Sequence, residues 1–201
     1  MTNLSNVKQG RPVISDLRFS HFGMFVCHLG RMETFYTKAL GFTVTDRGSL
    51  SGPKGSFDLV FLSRDPDEHH QIVLATGRPA HLDFNPINQI SLKTGSLATL
   101  RAFKTSLPRA GASELITVTH GNAVSIYCRD PEGNRLEIFV DLPWYVAQPL
   151  REPIDLDIDD EALLKMLEAH ARSLPGFEPR AAWRQRMALL MGLRAANPAV
   201  T

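Results

Sequence analysis

The chain has 201 residues, 43% hydrophobic and 21% charged, the balance of a globular protein with room for one sizeable domain or two small fused ones. A formal net charge of +1 gives no electrostatic case for nucleic acid or an anionic membrane, and no uncharged run approaches the roughly 20 residues of a membrane span. Two cysteines, Cys27 and Cys128, are too few for a disulfide framework; they point to a reducing cytoplasm and read as buried, inert thiols.

Met1 to Gln9 is polar and reads as a flexible lead-in without the apolar stretch of a signal peptide. Arg18 to Val26 predicts a strand. Met32, Phe35 and Ala39 recur at helical spacing within Arg31–Leu40, and Gly41 stops that helix. Phe42 to Asp46, Asp58 to Leu62 and Gln71 to Ala75 predict strands, with a Gly/Ser/Pro-rich loop over Gly48–Ser56. The order then restarts: strand at Gln89–Leu92, helix at Ser96–Leu107 closed by Gly111, then strands at Leu115–Val118, Ala123–Cys128 and Arg135–Val140. A shift of 68 lays His21 on Gln89, Leu29 on Leu97, Met32 on Leu100 and Phe35 on Phe103, with a drift of two or three residues at the turns. The phrase Arg64-Asp65-Pro66-Asp67 returns as Arg129-Asp130-Pro131-Glu132.

The predicted fold is therefore α+β: two tandem β-α-β-β-β units, about 17–76 and 87–141, forming a curved mixed sheet around a metal site. Residues 142–201 form an extension, first a proline-rich wrapping segment over Asp141–Pro153. Two helices follow, Ile158–Arg172 capped by Asp157 or Asp159, and Pro179–Arg194 with Trp183, Met187, Leu190 and Met191 at core spacing.

Polar residues inside strands are the candidates for chemistry. His21 and Gln89 hold matching places in the two units, and Glu137 sits between Leu136 and Ile138, where a carboxylate is costly to bury without a positive partner. A divalent metal is one such partner, and imidazole, amide and carboxylate donors suit iron(II), manganese, nickel or zinc. His70 in the last strand of the first unit, His120 at the start of a strand after Thr119, and Tyr127 seven residues beyond His120 can donate, accept or shuttle protons. His28, His69, His81 and His170 read as surface or packing residues.

The duplicated unit, the strand HFGMFV that begins at His21, and YCRDPEGNRLEIFV from Tyr127 to Val140 resemble the vicinal oxygen chelate superfamily of glyoxalases, bleomycin resistance proteins and extradiol dioxygenases. The resemblance covers Leu17 to Asp141, and EHHQIVLA and THGNAVSIY are most similar to single-domain type I extradiol dioxygenases. It implies metal ligands at His21, Gln89 and Glu137, an acid–base role for His70, and substrate contacts from His120 and Tyr127. The family has histidine where Gln89 stands, and an amide oxygen is a weaker donor than imidazole. The implied activity is ring-cleaving oxygenation of a catechol-like aromatic by iron(II) and dioxygen in a cytoplasmic homo-oligomer. A metal-dependent lyase or isomerase, and a non-catalytic binding protein, remain as alternatives.

Overall fold

Alternating burial sets the first strand. In the computed structural model, which describes residues 17–192 apart from 53, 54, 80, 83, 84 and 86, β1 (Phe22–Val26) buries Met24 and Val26 and turns Gly23 and Phe25 outward. The polar lead-in at Met1–Gln9 and the predicted helix end at Arg194 lie outside the described residues. The predicted start at Arg18 is corrected to Phe22, because β4 (Ile72–Thr76), its only ladder partner among the described residues, begins opposite that residue. His21 therefore precedes the strand.

α1 (Leu29–Thr34) runs into a π-helical turn over Phe35–Ala39 and buries Met32, Phe35 and Tyr36 against the sheet. Gly41, at φ 72°, ends it in a left-handed conformation that suits glycine. β2 (Thr43–Gly52) and β3 (Gly55–Ser63) pair antiparallel through most of the predicted Gly48–Ser56 loop. Small side chains do not hinder a backbone ladder, and Ser49 Oγ donates to Asp58 Oδ1 at 2.6 Å across it.

The second unit repeats this order with β5 (Ile90–Lys93), α2 (Leu97–Arg109), β6 (Ser113–Thr119), β7 (Ala123–Arg129) and β8 (Arg135–Asp141). Ser96 caps α2 by accepting from Thr99 N at 3.1 Å. Each unit closes its own mixed sheet, ordered β1-β4-β3-β2 and β5-β8-β7-β6, with the first strand parallel to the last in both. Phe22 corresponds to Ile90, a shift of 68, but Ile72 corresponds to Leu136, a shift of 64. The drift is thus four residues, more than the sequence reading allowed. The helix-facing sides of both sheets join in one apolar cluster that includes Leu62, Leu74, Leu100 and Ile126.

The second copy of the repeated phrase ties the units together. Glu132 accepts from His28 N at 2.7 Å and Cys27 N at 2.9 Å, capping the start of α1 from the other unit. The Tyr36 hydroxyl donates to Asp130 Oδ2 at 3.3 Å. Cys27 is exposed and Cys128 buried, so the expectation of two buried thiols is corrected for Cys27, whose backbone faces this junction.

The C-terminal segment wraps the second sheet. Trp144 Nε1 donates to Gly121 O at 2.6 Å from β9 (Trp144–Tyr145), and β10 (Glu152–Pro153) adds a strand beside β6. α3 (Asp160–Ser173), capped by Asp159, buries Leu163, Leu167 and Ala171; Arg101 of α2 donates to Leu156 O and Ile158 O in the segment leading into it and to the Asp160 carboxylate at its start. β11 (Glu178–Pro179) pairs with β9 and leads into α4 (Arg180–Leu190). No residue of α4 is buried, a correction to its core-like spacing: Trp183 stacks on Tyr145, while Leu190 and Met191 face outward. Among the described residues no helix is long and apolar enough to cross a membrane.

Candidate active site

The pleat of β7 and β8 puts Ser125, Tyr127 and Glu137 on one face. Tyr127 and Glu137 are direct cross-strand partners, and Ser91 on β5 stands opposite Glu137 from the other side. The buried Glu137 carboxylate is surrounded by donors. Oε1 accepts from Ser125 Oγ at 2.8 Å, and Oε2 accepts from Ser91 Oγ at 2.6 Å and Gln89 Nε2 at 2.9 Å. His120 Nε2 lies 3.4 Å from Oε1 and 3.1 Å from the Tyr127 hydroxyl. Burial alone would raise the Glu137 carboxyl, but hydrogen bonds from His120, Ser91, Ser125 and Tyr127 outweigh it and hold the group at about 2. The Glu137 contact in turn raises His120 against the effect of burial, with help from the Leu150 carbonyl. Burial, then the Glu137 charge, push Tyr127 up to about 12.

His120 is not in a strand as expected; it occupies the β6–β7 turn, where the C-terminal segment holds it. Its Nδ1 meets Leu150 O at 2.6 Å, and Gln148 Nε2 donates to its carbonyl at 2.7 Å. Gly121, at φ 74°, completes the turn, and a Cβ there would stand 2.4 Å from Val146 Cγ2. The packing leaves no room for a side chain.

His21 and His70 gather on the first unit. Their rings lie 4.1 Å apart, both precede their strands, and His70 Nδ1 is 2.8 Å from His69 Nδ1. The placement of His70 within a strand is thereby corrected: two residues more separate Asp65 from the start of β4 than separate Asp130 from the start of β8. Burial and the neighbouring His21 and His69 lower its pKa. Among the described residues, every side-chain hydrogen bond and ring contact of His21 and His70 stays within the first unit. Gly23 pairs with Val73 as Ser91 pairs with Glu137, so an apolar Val73 is the counterpart of Glu137.

The donor chemistry decides what a metal would find here. The Gln89 amide and the Glu137 carboxylate lie side by side and can offer two oxygens, supported by the serine hydroxyls. The imidazoles of His21 and His70 form a separate group. Among the described residues no three His, Cys, Asp or Glu side chains are grouped to hold a metal ion. One chain thus presents an oxygen half and an imidazole half on different sheets.

Four residues of this face are absent from the candidates drawn from sequence: Ser91, Ser125, Arg135 and Arg151. The first three had a signal, since each lies two residues from Gln89, Tyr127 or Glu137 and shares its strand face. A cavity of about 690 Å³ opens between the units beside Ser20, Gln71 and Ser91, yet none of the six candidate residues lines it. A smaller recess, about 320 Å³, is lined by one of the six, Tyr127.

The family model of the Glyoxalase/Bleomycin resistance protein/Dioxygenase superfamily matches residues 18–138. Among solved structures, a glyoxalase family protein from Bacillus cereus is 16% identical, covers 68% of this chain and 98% of its own, and superposes with a TM-score of 0.49. The trypanothione-dependent glyoxalase I of Leishmania major is 16% identical over 78% of this chain and 96% of its own, with a TM-score of 0.49. The fosfomycin resistance protein FosX of Listeria monocytogenes, solved with Mn(II) and sulfate, is 16% identical over 64% and 94%, with a TM-score of 0.47. A search among curated proteins finds no match.

Proposed function

The chain belongs to the Glyoxalase/Bleomycin resistance protein/Dioxygenase superfamily, and from that premise we propose that it is a metal-dependent, extradiol-type dioxygenase that opens a catechol-like ring at a centre completed between two copies of the chain. The observation that carries this reading is Glu137: a buried carboxylate kept ionised beside a histidine–tyrosine pair. Sequestering a small molecule needs no such costly group, whereas metal binding and proton transfer do.

His21, Gln89 and Glu137 are the residues that would hold the metal. Iron(II), when bound, would supply the redox chemistry between a catechol and dioxygen. The chain's own groups do the rest. Leu150 O fixes the proton of His120 on Nδ1, which directs Nε2 to Tyr127 and Glu137 and lets it take up or return a proton there. Tyr127, with its pKa near 12, stays protonated and donates to a substrate oxygen. His70, with its pKa lowered, is a neutral acceptor at physiological pH.

The separation of the His21–His70 pair from the Gln89–Glu137 group favours a two-copy site, the first unit of one chain meeting the second unit of its partner. Phe25, 60% exposed on the same side of β1 as Gly23, offers that face an apolar contact. A mixture of inactive His21→Ala and Glu137→Ala chains should then recover about one quarter of the parent activity, because half the dimers formed at random hold one intact site of two. Recovery of none would place the whole site within one chain.

The reaction is tested by metal analysis of anaerobically purified protein, with oxygen uptake on a catechol panel. Stoichiometric iron, absent from Glu137→Ala, together with uptake is the expected result. Manganese, nickel or zinc without uptake would instead favour a metal-dependent lyase or isomerase, the reading to which the Gln89 oxygen donor lends weight.

A further inference from the structure

Two guanidinium groups lie over the Tyr127 ring. Arg135 Cζ is 4.6 Å and Arg151 Cζ 5.1 Å from its centroid. Arg135 precedes Glu137 by two residues on β8 and so shares its face, while Arg151 comes from the wrapping segment just before β10. Neither guanidinium has an ion pair or hydrogen-bond partner among the described residues. Other arginines nearby do: Arg129 meets Glu114 at 3.0 Å and Arg180 meets Asp141 at 2.7 Å. Two like charges over one ring repel each other, and an anion in the recess that both line would relieve that repulsion. Both arginines also line the recess beside Tyr127, together with the apolar Leu115, Ile116 and Cys128 and the Arg129–Glu114 ion pair, whose charges satisfy each other. Forked donors above an apolar wall match a planar carboxylate on a hydrophobic body. The Tyr127 ring itself spans the distance from this pair to the hydroxyl that meets His120.

We propose that Arg135 and Arg151 clamp a carboxylate, so that the substrate is a single ring carrying that carboxylate within one ring's length of the Tyr127 hydroxyl. The carboxylate part stands on the arginines alone; the hydroxylated-ring part rests on the function proposed above.

Calorimetry on the full chain separates the two. Benzoate, which has no hydroxyl pair, probes the clamp; 3,4-dihydroxybenzoate against catechol, followed by oxygen uptake, probes the clamp within the reaction. Benzoate should bind the parent, and Arg135→Met or Arg151→Met should weaken it roughly tenfold or more, the loss of a charged, forked hydrogen bond. Arg151→Lys should recover part of the loss, and Arg172→Met, which removes a positive charge on α3, should change nothing. The parent should prefer 3,4-dihydroxybenzoate to catechol, and the Arg→Met variants should lose that preference. Benzoate binding that is absent, or equal in parent and variants, overturns the clamp. Arginine-dependent benzoate binding without metal or oxygen uptake keeps the clamp and removes the dioxygenase. Oxygen uptake with no preference for the carboxylate keeps the dioxygenase and removes the clamp.

Discussion

His120 Nδ1 stands 2.6 Å from the carbonyl oxygen of Leu150, a residue of the C-terminal wrapping segment. A carbonyl can only accept, so this contact places the proton on Nδ1 and leaves Nε2 to Tyr127 and Glu137. The segment that follows the duplicated units therefore sets the tautomer at the site, an assignment that its sequence of prolines and aromatics did not express.

Gly121→Ala tests that dependence. The new Cβ would collide with Val146 and Leu150 at a backbone φ of 74°, so a loss of about 1–3 kcal/mol in denaturant unfolding is expected. The displaced Leu150 should also release His120, and its NMR titration should move down toward about 6.5, the ordinary histidine value. An unchanged His120 titration in a destabilised variant would show that the segment stabilises the fold without setting the histidine.

Glu137 and His120 make opposite contributions to stability against pH. The carboxyl is depressed from 4.5 to about 2, so its contribution is present above 4.5 and is lost as pH falls from there to about 2. His120 is raised, so its contribution is complete below its unfolded value near 6.5 and is lost as pH rises through the higher folded value. In Glu137→Gln both slopes should flatten, read by urea midpoints at stepped pH. A parent profile flat between pH 5 and 2 would contradict the Glu137 assignment.

The Gln89 amide is the weak member of the proposed ligand set. Gln89→His should tighten iron(II) binding, measured anaerobically by competition with a chelator, while also removing the donor that meets Glu137 Oε2 at 2.9 Å. Equal affinities in parent and variant would mean that residue 89 does not ligate.

Leu100 is fully buried between α2 and the second sheet. Leu100→Ala should cost about 2–5 kcal/mol through lost burial and the cavity left behind. Activity per folded molecule should stay at the parent level, since Leu100 faces the helix layer and not the Glu137 face. A fall in specific activity at full folding would mean that the two faces of the sheet are coupled.

The order of elements was legible because it rests on local rules. Met32 and Phe35, and again Leu97 and Leu100, mark the buried sides of two helices, Gly41 and Gly111 stop them with positive φ, and Asp159 caps α3. Glu137 was legible as a carboxylate in an apolar strand. The pairing of units was not, because periodicity describes each sheet and is silent on how two sheets pack. His21 and His70 thus fall on one sheet while Gln89 and Glu137 fall on the other. Four core-spaced residues of the last helix misled for a related reason: Trp183 has its partner in Tyr145 of β9, and Leu190 is 67% exposed among the described residues.

The Glu132 cap on α1 has a consequence for how the protein is made. The donor at Cys27 and the acceptor at Glu132 are 105 residues apart in the chain. During synthesis the first helix emerges long before its cap, and its leading amides stay in water until the turn before β8 has been translated. The ribosome must therefore deliver both repeats before the cap on the first helix can form, so the N-terminal half expressed alone should carry a frayed helix.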